Sequence, residues 1–339
     1  MVKNVVAVLT IIAIGVWLAG SPVAAQQSRG AVVDVPRSPN AEQLARGRYM
    51  VVTGDCNVCH TVNYDTLEGK VPENEWLTGG NVGRRGPWGT TYPTNLRINV
   101  SAMTEADWVA YAKELRTRPG MPAWSLRETS VEDLRAMYQF IKSLGAPGKP
   151  ARPFLPPGQE PETPYVQVVA AGPPKPLAPL PPSTAGNVQR NAGANAATSR
   201  SGPDAEILAL GRYMVLTGHC NNCHTRDYGR LEGKVAEKEW LMGNLQGHRG
   251  PWGTTYPTNL RIEVSKMTEA QWIAYVKNLR TRPPMPWWTL HERNIDDLRA
   301  IYQFIKTLGT PGEPAPSFLP PDQQPKPPYI QWPAAISAQ

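Results

Sequence analysis

The stretch Cys56–His60 reads CNVCH, and the stretch Cys220–His224 reads CNNCH. Both belong to an internal repeat, in which residues 41–167 align with residues 205–331 at a constant offset and without a gap. Roughly two-thirds of the paired positions are identical, and such self-similarity is the signature of a duplicated structural unit. Each unit, about 125 residues long, is large enough to have its own core. The repeat therefore predicts two tandem domains of one fold.

The four cysteines of the chain all lie in these two stretches, so cysteine usage is local rather than spread over a disulfide framework. The Cys-x-x-Cys-His spacing is typical of c-type haem attachment, in which the thiols add to the haem vinyl groups and the histidine binds the iron. We predict two covalently attached haem c groups. Their attachment residues are Cys56, Cys59, Cys220 and Cys223, and their proximal ligands are His60 and His224.

Two other interpretations of the cysteine pairs are a redox-active dithiol and a zinc site. A dithiol motif is expected after a strand in a βαβ unit, and the sequence shows no such context. A zinc site made of all four cysteines would have to join two distant pairs, and it would leave His60 and His224 unexplained. Haem attachment is therefore the favoured interpretation.

The second axial ligand can be narrowed by elimination. The first unit contains one histidine, His60, and its cysteines are committed to thioethers, so methionine remains. Met121 lies in RPGMP and Met285 in RPPMP, and prolines restrict the backbone to a stiff loop that can present one side chain. We predict Met121 and Met285 as ligands, with core filling as the alternative. The other recurring pairs are Met50 with Met214 and Met103 with Met267.

The periodicity of apolar residues predicts a mainly α fold. A first helix is expected over residues 41–52. Thr104 with Asp107 forms a capping-box pattern for a second helix. A terminal helix should begin after Ser130, a good N-cap, and end at Gly145.

Proline-rich segments separate and close the two units. Residues 168–204 are rich in Pro, Ala, Gly, Ser and Asn and predict an extended, flexible linker between domains at 41–167 and 205–331. Each unit also ends in a proline-rich segment, at residues 154–165 and 318–329, where Phe, Leu and Tyr keep the same register. We expect each of these two straps to pack on its own domain.

Residues 1–25 have the features of a cleaved export signal: a basic start, an apolar run and a small-residue cleavage pattern. They predict a periplasmic location, and the chain would be membrane-associated only if this segment stays uncleaved. The formal net charge is +7. Most of this excess would offset haem propionates, so we do not expect nucleic acid as a partner. Candidate propionate partners are Arg85, Arg97, Arg249 and Arg261.

These motifs resemble the class I cytochrome c family, and most closely the haem domains in cytochrome subunits of alcohol and sugar dehydrogenases. The shared features are Tyr92 to Leu96, Trp108, Met121 to Trp124 and Asp133 to Ile141, each repeated in the second unit. The resemblance implies two tandem class I domains, each with its first and last helices crossing tightly. The implied crossing pairs are Gly47 with Tyr138 and Gly211 with Tyr302.

We therefore expect a di-haem electron carrier, not itself an enzyme, that works alone or as a subunit of an oxidoreductase complex. Its expected partners are a dehydrogenase or quinol-oxidising donor and a terminal oxidase. The alternative is a haem enzyme, either a two-haem peroxidase or a thiosulfate-oxidising cytochrome. A peroxidase needs an open ligand position, whereas both units carry the same methionine loop, and a thiosulfate-oxidising site would need a spare cysteine.

The two units differ at positions close to the predicted sites. Asp55 is replaced by His219, Arg84 by His248, and Ala123 by Trp287. Because groups around the ligands tune a metal centre, these differences predict unequal midpoint potentials for the two haems.

Overall fold

The computed structural model of the chain describes residues 41–145, 148–170, 203–309 and 312–334. The predicted export signal and nearly all of the predicted linker lie outside these ranges. Within the described ranges, no helix is both long and apolar enough to cross a membrane. This part of the chain is mainly helical with one small sheet, as the sequence predicts.

The same elements occur in the same order in the two halves. The first half contains α1 (Ala41–Thr53), α2 (Cys56–His60), β1 (Gly83–Gly86), β2 (Gly89–Thr91), α3 (Leu96–Ser101), α4 (Glu105–Glu114), α5 (Ala123–Glu128), α6 (Val131–Ser143) and β3 (Tyr165–Val169). The second half contains α7 (Pro203–Thr217), α8 (Cys220–His224), β4 (Gly247–Gly250), β5 (Gly253–Thr255), α9 (Leu260–Ser265), α10 (Glu269–Asn278), α11 (Trp287–His291), α12 (Ile295–Thr307) and β6 (Tyr329–Gln331).

The predicted helix ends are confirmed by their capping contacts. The Thr104 side chain accepts a hydrogen bond from the Asp107 backbone N–H, and the Asp107 side chain accepts one from the Thr104 backbone, which completes a capping box at the start of α4. The backbone N–H of Asp133 donates to the Ser130 hydroxyl at 3.0 Å. Gly145, at φ +79°, follows the end of α6 in the left-handed conformation that glycine adopts without strain.

The first and last helices of each half pack with their backbones in close contact. A Cβ atom at Gly47 would lie 2.0 Å from the Ala136 carbonyl oxygen and 2.7 Å from Cβ of Phe140, so only glycine fits here. The predicted glycine is confirmed, but its nearest neighbours are Ala136 and Phe140 rather than Tyr138. The Tyr138 hydroxyl instead donates to the carbonyl of Met103 at 2.9 Å, and Met103 lies between α3 and α4.

The two proline-rich straps pack on their own halves, as expected. Leu155 forms two backbone hydrogen bonds with Thr90 of β2, at 2.8 and 3.0 Å, and the Arg118 guanidinium lies 4.0 Å from the centre of the Phe154 ring. In the second half, Leu319 pairs in the same way with Thr254. Beyond each strap the chain forms β3 or β6, which runs parallel to β1 or β4 of the same half.

A six-stranded sheet joins the two halves, and the sequence did not predict it. Its strand order is β2-β1-β3-β6-β4-β5, in which the antiparallel pair β3–β6 is the junction. Val168 faces Ile330 across this junction. The described residues of both halves belong to one compact unit, so the two halves are packed together and not merely tethered.

Contacts across the boundary occur twice, with the roles of the halves exchanged. The Tyr49 hydroxyl donates to the Asp297 carboxylate, and the Tyr213 hydroxyl donates to Asp133. Trp124 covers Gly233, and the equivalent Trp288 covers Gly69. The boundary therefore has the pattern of a two-fold symmetric interface, formed within one chain.

Candidate haem sites

Each attachment motif forms a one-turn helix directly after the first long helix of its half. Asp55 has φ 55°, a left-handed conformation that lets the chain turn between α1 and α2. The Thr61 hydroxyl donates to the Asn57 side-chain oxygen at 2.7 Å and accepts from the Leu77 backbone N–H at 2.8 Å. Asn221, Thr225 and Leu241 form the same contacts at 2.6 and 2.8 Å. The motif is therefore held rigidly against the core in both halves.

Both predicted proximal histidines are oriented by a backbone carbonyl. Nδ1 of His60 donates to the Thr94 carbonyl at 2.7 Å, and Nδ1 of His224 donates to the Thr258 carbonyl at 2.8 Å. Such a bond fixes the ring and leaves Nε2 as the nitrogen able to bind a metal. Burial lowers the pKa of both rings, which favours the neutral form that a ligand requires.

The four cysteines are free thiols held in partly buried positions. Burial raises the pKa of Cys56 to about 12 and that of Cys223 to about 11. A redox-active dithiol instead has a lowered thiol pKa, because the thiolate is its nucleophile. The surroundings of these thiols therefore argue against the dithiol interpretation. In the described part of the chain, no cluster of three or more His, Cys, Asp or Glu side chains is arranged to hold a metal ion.

Several buried polar atoms have no hydrogen-bond partner in the described part of the protein, and their positions bear on whether each half fits a haem. Buried polar groups are almost always hydrogen-bonded, so each exception calls for an explanation. Six of the ten exceptions among the described residues recur at equivalent positions of the two halves: Nε1 of Trp88 and Trp252, Oγ1 of Thr90 and Thr254, and Nδ2 of Asn57 and Asn221. A bound group with acceptor atoms, such as the propionates of a haem, would satisfy these donors. The residues present therefore fit a haem in each half.

Sequence reasoning missed these polar atoms, although a signal for four of the six was present. Trp88 and Thr90 lie in the stretch from Gly86 to Arg97, which recurs unchanged from Gly250 to Arg261. Such a long identical run in a diverged repeat indicates a shared constraint beyond core packing. The run carries buried hydrogen-bond donors without partners in the described ranges of the protein, and binding of a group with acceptor atoms would be such a constraint.

The loop that carries Met121 lies against the attachment region of the first half. The Thr91 hydroxyl donates to the Pro119 carbonyl at 3.1 Å. A Cβ atom at Gly120 would lie 3.0 Å from Cδ of Arg84, whose guanidinium lies 3.3 Å from the Cys59 sulfur. The loop and the attachment helix therefore approach each other through Arg84. That Met121 and Met285 bind iron stays a prediction.

The four arginines expected to pair with propionates have partners within the protein. Arg85 forms an ion pair with Glu160, and Arg249 donates to the Gln323 carbonyl at 2.6 Å. Arg97 and Arg261 donate to backbone carbonyls near the ends of α6 and α12, respectively. Pairing of these residues with propionates stays a prediction, since arginine has five donors and can satisfy carbonyl groups and anions alike.

The two candidate sites adjoin at the boundary between the halves. A Cβ atom at Gly54, two residues before Cys56, would lie 3.5 Å from the Thr217 carbonyl oxygen, three residues before Cys220. The charge of Asp55 acts on Cys56 of its own half and also on Cys220 and Cys223 of the other half. The attachment segments are therefore neighbours in space, although they are far apart in the sequence.

Comparisons with known proteins find cytochrome c subunits among the relatives of this chain. No protein-family model matches the chain. It is 25% identical over 293 residues to the gluconate 2-dehydrogenase cytochrome c subunit of Pantoea cypripedii, which covers 80% of this chain and 60% of the relative. It is 26% identical over 297 residues to the cytochrome c subunit of alcohol dehydrogenase (quinone) of Gluconacetobacter polyoxogenes, with coverages of 80% and 58%.

A shorter match links the chain to one of the subunits of nicotinate dehydrogenase from Pseudomonas putida, at 28% identity over 114 residues, 31% of this chain and 9% of the relative. The chain spans about 60% of the length of the gluconate and alcohol dehydrogenase cytochromes.

These relatives are cytochrome c subunits, and the similarity supports a haem cytochrome c with covalently bound haem c. More particularly, the chain resembles the cytochrome c subunits of gluconate and alcohol dehydrogenases, which confirms the resemblance expected from its motifs.

Proposed function

We propose that this chain is a periplasmic di-haem cytochrome c that carries single electrons from a dehydrogenase or quinol-oxidising donor to a terminal acceptor. The observation that carries the proposal is the duplication of a complete site. Each half has two free thiols and a carbonyl-oriented histidine on one short helix, together with the same set of buried donors without partners.

The chain's own residues would anchor and orient the haem in each half. The thiols of Cys56 and Cys59 would hold the haem by thioether links, His60, oriented by Thr94, would bind the iron, and Met121 would supply the second ligand. His224 and Met285, with Cys220 and Cys223, have the same roles in the second half. When bound, the haem supplies reversible one-electron chemistry. Ligation by His and Met and burial of the site favour the reduced iron and raise its potential.

The neighbouring attachment segments support electron transfer between the two sites inside one chain. An electron that enters either half need not wait for a second encounter with a partner, because both halves belong to one compact unit. The names of the relatives support a dehydrogenase as the donor. The names of the relatives do not bear on the terminal acceptor, which is proposed because an electron carrier must pass its electrons on.

A haem enzyme such as a peroxidase is the competing function. It would need an iron with an open or displaceable ligand position, whereas both halves carry the Met-Pro loop after α4 and α10. A carrier with two closed sites should show a reduced spectrum that carbon monoxide leaves unchanged, and it should not turn over peroxide.

The test is haem counting in matched variants of the full chain, produced with c-type haem maturation. We expect two haems per chain in the wild type and one in each of the double variants Cys56→Ala/Cys59→Ala and Cys220→Ala/Cys223→Ala. The remaining haem of each variant should still be reduced and reoxidised with one electron. A wild-type chain with one haem, or with rapid peroxide turnover, would contradict the proposal.

A further inference from the structure

Arg293 is a buried cation at the boundary between the two halves. It lies between α11 and α12 and is 1% exposed. Its Nη2 donates to the carbonyl of Thr53 at 2.7 Å, which is the last residue of α1 in the other half. Its Nη1 lies 3.8 Å from the Met214 sulfur of its own half. One guanidinium thus bridges the first helices of both halves.

The guanidinium lies between the two attachment segments. A Cβ atom at Gly218 would lie 2.0 Å from Nη2 of Arg293, so Gly218, two residues before Cys220, makes the room for it. Thr53 lies three residues before Cys56 on the other side. The carbonyl it binds is at the carboxyl end of α1, where a positive charge interacts favourably with the helix dipole. Arg293 therefore contacts the chain directly before both haem-attachment motifs.

The charges around Arg293 are not symmetric between the halves. Its counterpart in the first half is Thr129, whose hydroxyl donates to the Ser125 carbonyl within the same half at 3.2 Å. Arg293 interacts electrostatically with Asp55 of the first half and with His219 of its own half. His219 occupies the position in the second half that Asp55 occupies in the first. No carboxylate among the described residues forms an ion pair with Arg293 at salt-bridge distance, and its Nε has no partner.

We propose that Arg293 is a positioning residue for electron exchange between the two haem sites. It fixes the Thr53–Cys56 segment against the Gly218–Cys220 segment, and it adds a fixed positive charge at their junction. This inference rests on the proposed function, since it concerns exchange between two haems in one chain. One electron leaves one site and arrives at the other, and no proton moves and no bond forms or breaks.

Two physical effects follow from this placement. A planar guanidinium donates in several fixed directions at once, so it can hold two segments in register where a lysine would bind as a single point charge. A fixed positive charge in a poorly solvated junction also favours the reduced state of nearby iron, because reduction lowers the positive charge of the site.

The test compares three full-length, haem-loaded variants with the wild type. Arg293→Thr introduces the residue of the first half, Arg293→Lys keeps the charge but not the bridging geometry, and Arg299→Thr removes an exposed arginine of α12 as the control. The measurements are haem content, a spectroscopic redox titration, and the rate of electron exchange between the haems after photoreduction.

We expect Arg293→Thr to keep two haems, to exchange electrons more slowly, and to lower at least one midpoint potential. The expected shift corresponds to a tenfold change in the reduced-to-oxidised ratio, which is about 59 mV for one electron. Arg293→Lys should keep the potentials and slow the exchange, and Arg299→Thr should match the wild type.

The proposal is overturned if Arg293→Thr holds two haems with the potentials and exchange rate of Arg299→Thr, even where its unfolding temperature has fallen. That result would leave the proposed function intact. A wild type without two haems would instead contradict the proposed function, so the two failures are distinguishable.

Discussion

Single residues decide how the two nearly identical halves differ. At the position of Arg84, which contacts the Cys59 sulfur, the second half has His248. His248 is 7% exposed, and its Nδ1 accepts a hydrogen bond from Nε1 of Trp332 at 3.3 Å. The first half therefore has a permanent positive charge at this position, Arg84, whereas the second half has an imidazole, His248, that is neutral when it is deprotonated. This is the clearest local basis for the predicted inequality of the two potentials.

The pH dependence of the free energy of unfolding should show the titration of the buried His248 side chain. Burial, with Arg84 and His224 nearby, lowers the pKa of His248 from 6.5 to about 4. Between these two pH values the unfolded chain binds a proton that the folded chain does not, so stability is lost as the pH falls through this window. The expected loss from this residue is about 3 kcal/mol.

The measurement is the free energy of unfolding by denaturant from pH 7 to pH 4, for the wild type and His248→Gln. Glutamine offers an acceptor to Trp332 without titrating, so the variant should lose less stability on acidification. Parallel curves for the two proteins would contradict this account of His248.

At the scale of elements, the boundary is built from helix contacts that are repeated but unequal. Asp133, at the start of α6, accepts a hydrogen bond from the Tyr213 hydroxyl. It also forms a bidentate ion pair with Arg46 of α1, with N–O distances of 2.6 and 2.8 Å. Asp297, at the start of α12, receives the Tyr49 hydroxyl. The residue equivalent to Arg46 in the second half is Leu210, so Asp297 has no such ion pair among the described residues.

This difference predicts unequal effects for two matched substitutions. Tyr49→Phe leaves a buried carboxylate without a side-chain donor and should cost about 1–3 kcal/mol of stability. Tyr213→Phe leaves Asp133 paired with Arg46 and should cost about 1 kcal/mol. Equilibrium unfolding of the two variants checks the order. Adding Leu210→Arg should reduce the cost of Tyr49→Phe, and an equal cost for the two tyrosines would count against this role of Arg46.

At the scale of the whole molecule, contacts between the halves set their arrangement. The β3–β6 ladder, the two tyrosine–aspartate bonds and the two tryptophans that cover Gly69 and Gly233 all cross the boundary. Trp124 also donates from Nε1 to the Asn222 side-chain oxygen at 2.8 Å. Aromatic anchors at an interface, here partly buried, contribute strongly to association.

Cutting the chain after folding should therefore leave the halves together. With a protease site inserted between residues 171 and 202, we expect the cleaved, haem-loaded protein to elute as the intact particle at about 1 µM. Trp124→Ala/Trp288→Ala should separate the cut halves. The exposed pair Tyr111→Ala/Tyr275→Ala is the control and should not. Separate elution of the cut wild type would show that the linker alone keeps the halves close.

The agreement between sequence and structure is best where signals are local. The capping pairs at Thr104 and Ser130, the end of α6 at Gly145, and the two straps were all predicted correctly, because each depends on a few neighbouring residues or on a repeated register. The two Cys-x-x-Cys-His motifs are local signals of the same kind, and haem attachment at them stays a prediction. The protein contacts of Arg85, Arg97, Arg249 and Arg261 were not predicted, because an arginine side chain can reach many acceptors and the sequence does not say which one folds next to it.

The sequence by itself determined that this chain contains two copies of one unit, each with a Cys-x-x-Cys-His motif that predicts haem attachment. It could do so because attachment chemistry and helix capping depend on short, fixed spacings. The tertiary structure alone decided that β3 and β6 join the copies, that Arg293 of one half binds Thr53 of the other, and that the two attachment segments are neighbours. These are contacts between residues more than 150 positions apart, and they exist only when two folded surfaces fit each other.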